Sequence, residues 1–154
     1  QSLSHNDLVP VFSKIMSQSS VDISQVEIEV TENALVRGDV ALDNLQDFKR
    51  NGFKLCLDDF GSGYSSLSYL LKLPFDVIKI DRSFITSIDN DERSIIVLKS
   101  ILEMCHKLDK TIIVEGVEEA RQVELLRKLG AIYIQGFYFY KPMILSDIIE
   151  KSIL

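Results

Sequence analysis

The chain is short of positive charge, of cysteine and of long apolar runs. Lys and Arg number 17 against 23 Asp and Glu in 154 residues, a net charge of −6. Bulk nucleic-acid binding needs clustered positive charge, so that class is excluded. Two cysteines, Cys56 and Cys105, cannot build a disulfide framework. One falls in an apolar strand-like run and the other in a helix-like run, and both read as reduced core thiols of a cytosolic protein. No apolar run reaches the roughly 18 residues of a membrane span, and the N-terminus carries no apolar signal-peptide region. The expectation is a cytoplasmic domain, in a parent protein that could be membrane-anchored through regions outside these residues. Linkers rich in proline, glycine and serine are absent, as are low-complexity segments and close repeats. What remains is ordinary globular composition, 46% hydrophobic and 26% charged, enough for one domain over residues 1–154 with a sizeable core.

The pattern along the chain is a regular alternation. Val26–Thr31 alternates apolar and polar residues with a strand period. Val40–Asn51 reads as a helix, with Val40, Leu42, Leu45 and Phe48 at helical spacing and Asn51-Gly52 as its stop. Phe53–Asp58 is the next strand, Gly61-Ser62-Gly63 a turn, and Ser65–Leu73 a short helix stopped by Pro74. Further strands are expected at Val77–Ile80, Thr111–Glu115 and Ala131–Gln135. Helices are expected at Leu8–Met16, Ser94–Lys107 and Val117–Leu129, with a last short one from Ser146.

Strand–helix alternation implies parallel strands joined by crossover helices, and both an open doubly wound sheet and a (β/α) barrel satisfy it. Glu29, Asp58, Lys79, Glu115 and Gln135 each fall at or near the C-terminal end of a different strand. A barrel gathers all such ends on one rim, whereas an open sheet gathers only those beside its switch point, so the barrel is favoured. That rim would hold the carboxylates of Glu29, Asp58, Asp59 and Glu115 with one cation, Lys79. Such a group repels itself unless it binds cations or takes up protons. All-oxygen ligands suit Mg2+ or Mn2+, and a two-metal site clamps the attacking and leaving oxygens of a phosphoryl displacement. Lys79 would then hold the attacking water or stabilise charge on the phosphate, and Gln135 would orient water or substrate. Taken singly, a strand-end glutamate serves equally as a helix cap or rim ion pair, Asp58-Asp59 before Gly61 as an acidic turn, and Lys79 with Asp81 as a structural pair. Their joint placement at successive strand ends is what carries the metal reading.

Five motifs arrive together: Glu29-Val30-Thr31-Glu32, Asp58-Asp59-Phe60-Gly61-Ser62-Gly63-Tyr64-Ser65-Ser66, Lys79-Ile80-Asp81, Glu115-Gly116-Val117-Glu118, and Gln135-Gly136 followed by Lys141-Pro142. In order and spacing they closely resemble the EAL domain, the bacterial cyclic di-GMP phosphodiesterase family, from about Leu8 to Met143. The resemblance implies a TIM-like barrel and hydrolysis of one phosphodiester bond of cyclic di-GMP to give pGpG. It implies Glu29, Asp58, Asp59 and Glu115 as ligands of two Mg2+ or Mn2+ ions, with Asp58 shared between them. Lys79 is implied as holder of the catalytic water, so that Lys79, Asp58, Asp59 and Glu115 form the catalytic set. Gln135, Gly136 and Pro142 are implied on the substrate side. Glu32 resembles the glutamate that braces the loop Asp59–Ser66, a loop linked in the family to dimerisation and control of the metal site, and Glu118 reads as structural. Ca2+ is expected to inhibit, because it prefers a larger and looser coordination shell.

The Glu-Ala-Leu string that names the family does not occur; Asn33-Ala34-Leu35 and Val40-Ala41-Leu42 lie elsewhere and lack the glutamate. The family's asparagine ligand belongs on a strand matched just before Gln1, and Asn6 is a poor substitute because it precedes a helix. The expectation is an incomplete barrel of five to six βα units that begins partway through the domain, in line with the absent initiator Met. About a third of a barrel of about 250 residues would be missing. Such a chain is expected to associate, as a homodimer or through its open sheet, and to hydrolyse cyclic di-GMP weakly or not at all. Upstream sensory or GGDEF-type domains fit a longer parent. A receptor that binds cyclic di-GMP without hydrolysis is the alternative, and a pure docking domain would leave the five motifs unexplained. His5 and His106 lie too far from the motifs to be ligands, and His106 reads as a surface or boundary residue. Tyr133 and Phe137–Tyr140 read mostly as core, with one available to stack on a guanine.

Overall fold

A computed structural model describes residues 8–35, 39–62, 67–86, 88 and 91–151. The motif segment Gly63–Ser66, His5 and Asn6 lie outside the described residues. Five strands form one sheet: β1 (Glu27–Thr31), β2 (Lys54–Phe60), β3 (Val77–Ile80), β4 (Thr111–Val114) and β5 (Tyr133–Ile134). Eight helices accompany them among the described residues: α1 (Leu8–Ser17), α2 (Glu32–Leu35), α3 (Asp39–Arg50), α4 (Leu67–Lys72), α5 (Ser83–Thr86), α6 (Glu92–Lys107), α7 (Ala120–Lys128) and α8 (Leu145–Glu150).

Every pairing is parallel, and the spatial order β1-β2-β3-β4-β5 is the chain order. A doubly wound sheet reverses direction at its switch point. Right-handed crossovers that always advance the same way put their helices on one face and leave the other face concave, which is barrel winding. Among the described residues the sheet stays open, with β1 and β5 as its two edges.

The register divides each strand between the two faces. Glu29 lies beside Cys56, Cys56 beside Val77, Lys79 beside Ile113, and Ile113 beside Tyr133. Strand alternation therefore sends Glu29, Cys56, Asp58, Lys79, Ile113 and Tyr133 to the concave face. The opposite face holds Ile28, Val30, Leu55, Leu57, Ile78, Ile80, Ile112 and Val114, packed in one core with Leu45 and Phe48 of α3, Leu98, Leu102 and Cys105 of α6, and Val123 and Leu126 of α7. Phe12, Phe48 and Phe53 meet edge-to-face at the α1–α3 end of that core. Cys56 and Cys105 are both buried and unpaired.

The structure departs from the sequence reading in several places, and β5 is shorter than expected, Tyr133–Ile134 against Ala131–Gln135. The helix expected from Val117 starts at Ala120; the Glu118 and Glu119 N–H groups instead donate to the Gln122 side chain, which caps the helix there. Helix α6 begins at Glu92, because Asp91 accepts from the Arg93 N–H and the Ser94 hydroxyl. The single-turn helices α2 and α5 are too short to show a period. Tyr133 and Phe137–Tyr140, expected mostly in the core, are 40–56% exposed. Tyr133 stands on the concave face, and residues 137–140 follow the last strand.

Candidate active site

Parallel strands end together, so their C-terminal residues meet along the upper rim of the concave face. The Lys79 ammonium, on β3, is the centre of this rim. It lies 3.2 Å from Glu29 Oε1 of β1, 3.2 Å from Asp58 Oδ1 of β2 and 2.9 Å from Glu115 Oε1 just after β4. Its side chain is 10% exposed, that of Asp58 20%, Glu115 19% and Glu29 51%. Burial alone would push the Lys79 pKa down; the Glu115 hydrogen bond and charge, followed by those of Asp58, hold it above its ordinary value.

Adjacent strand residues normally face opposite sides, so Asp58 and Asp59 should diverge. The β2–β3 register breaks between Leu57 and Phe60, and Asp59 takes a left-handed backbone with φ +55°. Aspartate tolerates this conformation better than most residues. The irregularity brings both carboxylates to the rim, where oxygen atoms of Asp58, Asp59 and Glu115 lie within 4.8 Å of one another. Burial, then the charges of Asp58 and Asp81, push the Asp59 carboxyl above the usual range, with Lys79 pulling the other way. Asp58 Oδ1 is buried and faces the Lys79 ammonium at 3.2 Å. A crowded carboxylate trio whose charge one lysine only partly offsets suits a hard cation. Glu29 joins that trio through Lys79, and its own carboxylate lies within 4.8 Å of ligand atoms of Glu27 and Cys56.

The remaining sequence candidates take distinct places. Glu32, only 4% exposed, accepts from the Gly61 N–H at 3.2 Å, directly after the acidic pair. Gln135 and Pro142 line a cavity of about 560 Å3 that opens beside Glu115. Gly136 also borders it, and its identity has a local reason: a Cβ there would lie 2.0 Å from the Val117 carbonyl oxygen. That close approach lets the Tyr138 N–H donate to Val117 O and the Val117 N–H to Gln135 O. His106 is exposed, with Nε2 3.3 Å from the Gly130 carbonyl, and far from this chemistry.

Sequence reasoning missed Arg82, which lines the same cavity with Phe137, Tyr140 and Lys141. Arg82 packs so tightly on Gly116 that a Cβ at Gly116 would sit 2.2 Å from the Arg82 Cβ. The signal was available, since Arg82 follows a strand that ends in a site lysine. The exposed aromatics bring one polarised contact: the Lys141 ammonium stands 5.8 Å from the centre of the Phe137 ring.

The family model of the EAL domain matches residues 1–142. NbdA of Pseudomonas aeruginosa, a cyclic di-GMP phosphodiesterase, is 36% identical over 149 residues, covering 96% of this chain and 19% of NbdA. The EAL enzyme Bd1971, solved with cAMP and cyclic di-GMP bound, superposes with a TM-score of 0.93 at 33% identity, covering 99% of this chain and 41% of that one. Klebsiella pneumoniae BlrP1, solved with manganese and cyclic di-GMP, superposes with a TM-score of 0.82 at 32% identity over 87% of this chain and 34% of its own. The chain spans about a fifth of the length of the curated relatives it matches. With five parallel strands wound in chain order and acidic strand ends converging on one lysine, the chain belongs to the EAL domain family.

Proposed function

We propose that this chain supplies part of a cyclic di-GMP phosphodiesterase site that cleaves one phosphodiester bond to give pGpG. The observation that carries the reading is the convergence of Glu29, Asp58 and Glu115 on Lys79, with Asp59 turned into the same rim by its left-handed backbone. Asp58, Asp59 and Glu115, with Glu29 at the margin, would hold Mg2+ or Mn2+. Bound there, the ions would neutralise phosphate charge and lower the pKa of water at neutral pH. The Lys79 Nζ hydrogen-bonds the attacking water and fixes its line of approach to phosphorus. The water oxygen bonds to phosphorus and gives up a proton, the opposite P–O ester bond breaks, and the departing ribose oxygen takes up a proton to become a hydroxyl. Gln135 orients substrate from the cavity side, Gly136 and Pro142 shape that wall, and Glu32 steadies the turn after Asp59 through Gly61.

The net charge of −6 supports an ion requirement, because a substrate with two phosphate charges meets an acidic rim. Turnover should need Mg2+ or Mn2+, and Ca2+ should compete. Asp58→Asn and Lys79→Ala should each abolish metal-dependent conversion to pGpG while cyclic di-GMP binding is measured in parallel. Full turnover in EDTA sinks the reading. Retained binding with no turnover under any metal favours the second reading, a cyclic di-GMP receptor, for which the aromatic-walled cavity beside Glu115 provides the surface. Among the described residues β1 and β5 are open sheet edges, which supports association of the chain with another copy. Among the described residues, no helix is long and apolar enough to cross a membrane.

A further inference from the structure

The turn after the acidic pair is held by side chains from two other elements. Gly61 has φ +95°, and a Cβ there would lie 2.1 Å from Phe84 Cε2 and 2.7 Å from Phe84 Cζ, so the ring fills the space any side chain would need. The Gly61 N–H donates to Glu32, and the Ser62 N–H donates to the Asp59 carbonyl at 3.1 Å. Asp59 to Ser62 is thus one closed turn with the left-handed Asp59 at its start. Phe84 sits on α5, immediately beyond the strand that carries Lys79, and the buried Ile85 and Ile88 anchor that segment. Its N–H donates to the Asp81 carbonyl, and the Asp81 N–H donates to the Phe60 carbonyl, each at 3.2 Å. The ring borders a cavity of about 300 Å3 together with Asp91, Arg93 and Val97, so open space and not solid core lies on one flank.

We propose that Phe84 is a positioning residue for the ion-binding carboxylates: its ring, packed on Gly61, keeps the Asp59–Ser62 turn closed and the Asp59 carboxylate aimed at Asp58 and Glu115. The inference rests on the metal-site reading above. Two forces oppose the arrangement. A left-handed backbone is costly for a residue with a Cβ, and Asp58 and Asp81 both repel the Asp59 carboxylate. Without the ring the turn has room to relax, and Asp59 swings toward water.

The test is a Mn2+ titration of the purified protein, following free ion by electron paramagnetic resonance, with folding checked by circular dichroism. Phe84→Ala should weaken Mn2+ binding about 10- to 100-fold, the range typical for residues that support metal ligands. Phe84→Met, which refills most of the volume with a flexible apolar chain, should recover most of the affinity. Gly61→Ala should also weaken binding, and in Gly61→Ala/Phe84→Ala the two losses should fall short of additive, because the new methyl then has space. Phe84→Ala that lowers the melting temperature but leaves Mn2+ affinity within about twofold overturns the proposal, since ligand-supporting residues shift it further. If Asp58→Asn abolishes binding while Phe84→Ala does not weaken it, only this inference falls. If the unsubstituted protein binds no Mn2+, the metal-site reading falls and takes this inference with it.

Discussion

Lys79 makes three carboxylate contacts with one ammonium group, and this fixes what its loss would do. Removing one member of a buried ion cluster leaves the others uncompensated, which typically costs about 3 kcal/mol or more. Lys79→Met should therefore lower metal-free stability by about 3 kcal/mol, read from denaturant unfolding in EDTA. Mn2+ should narrow the gap, because a divalent ion replaces the missing charge; an equal gap with and without Mn2+ would count against the trio as an ion site. Cys105 tests burial at a site away from the rim. Burial pushes its thiol up to about 11 from the ordinary 9.0, with Lys110 pulling down. The unfolded chain loses this proton near pH 9 while the folded chain keeps it to about pH 11. This contribution is therefore complete below pH 9 and lost as the pH rises through about 11. Native alkylation at Cys105, resolved by mass spectrometry, should be negligible at pH 8 and become rapid on unfolding.

The elements divide along the strand axis, with chemistry at one end and fastening at the other. At the N-terminal end, Asp76 accepts from the Leu55 N–H at 2.9 Å, pairs with Lys49, and receives the Thr111 N–H on its carbonyl at 3.0 Å. One residue thus ties β2, β3, α3 and the start of β4. Asp76→Ala strands the Leu55 N–H and should cost about 1–3 kcal/mol. Mn2+ affinity of the folded fraction should stay unchanged, as the site lies at the opposite strand ends; a parallel loss of affinity would contradict this division. The strands were legible because β-branched runs bounded by turn residues mark them plainly, as in Val77–Ile80. The position of Asp58 and Asp59 at a strand end puts them together on the rim, but what turns both carboxylates there was not legible. Strict alternation sends them to opposite faces, and the break in register that unites them is a tertiary event between β2 and β3. The start of α7 differs from the sequence reading for a related reason, since Val117-Glu118-Glu119 has helical composition but spends its N–H groups on the Gln135 carbonyl just past β5 and on the Gln122 side chain.

At the scale of the whole molecule, the winding direction was legible from the polar strand ends, because five such ends from five strands suit a barrel rim better than the switch point of an open sheet. The exposure of Phe137 to Tyr140 was not, because aromatics become core only where another layer covers them, and sequence does not reveal coverage. A ligand that binds only the folded state stabilises it in proportion to its saturation. Mn2+ at about 100 times its dissociation constant should add about 2.7 kcal/mol to unfolding stability. Asp58→Asn should erase that gain, as read by melting in matched EDTA and Mn2+ samples. An unchanged gain would place the ion elsewhere on the acidic surface.

The division of each strand between two faces has a consequence for how such a domain changes over generations. The residues that touch helices, Val30, Leu55, Leu57, Ile78, Ile80 and Val114, are 0–3% exposed, and none of them carries a reactive group. Their neighbours along the same strands carry all the chemistry. Drift at Glu29 or Asp59 is therefore nearly decoupled from the core that keeps the chain folded. A lineage can lose rim carboxylates one at a time and still inherit an intact scaffold with its aromatic cavity, so under the function proposed above the step from cleaving a ligand to merely holding it is a short mutational walk on this architecture.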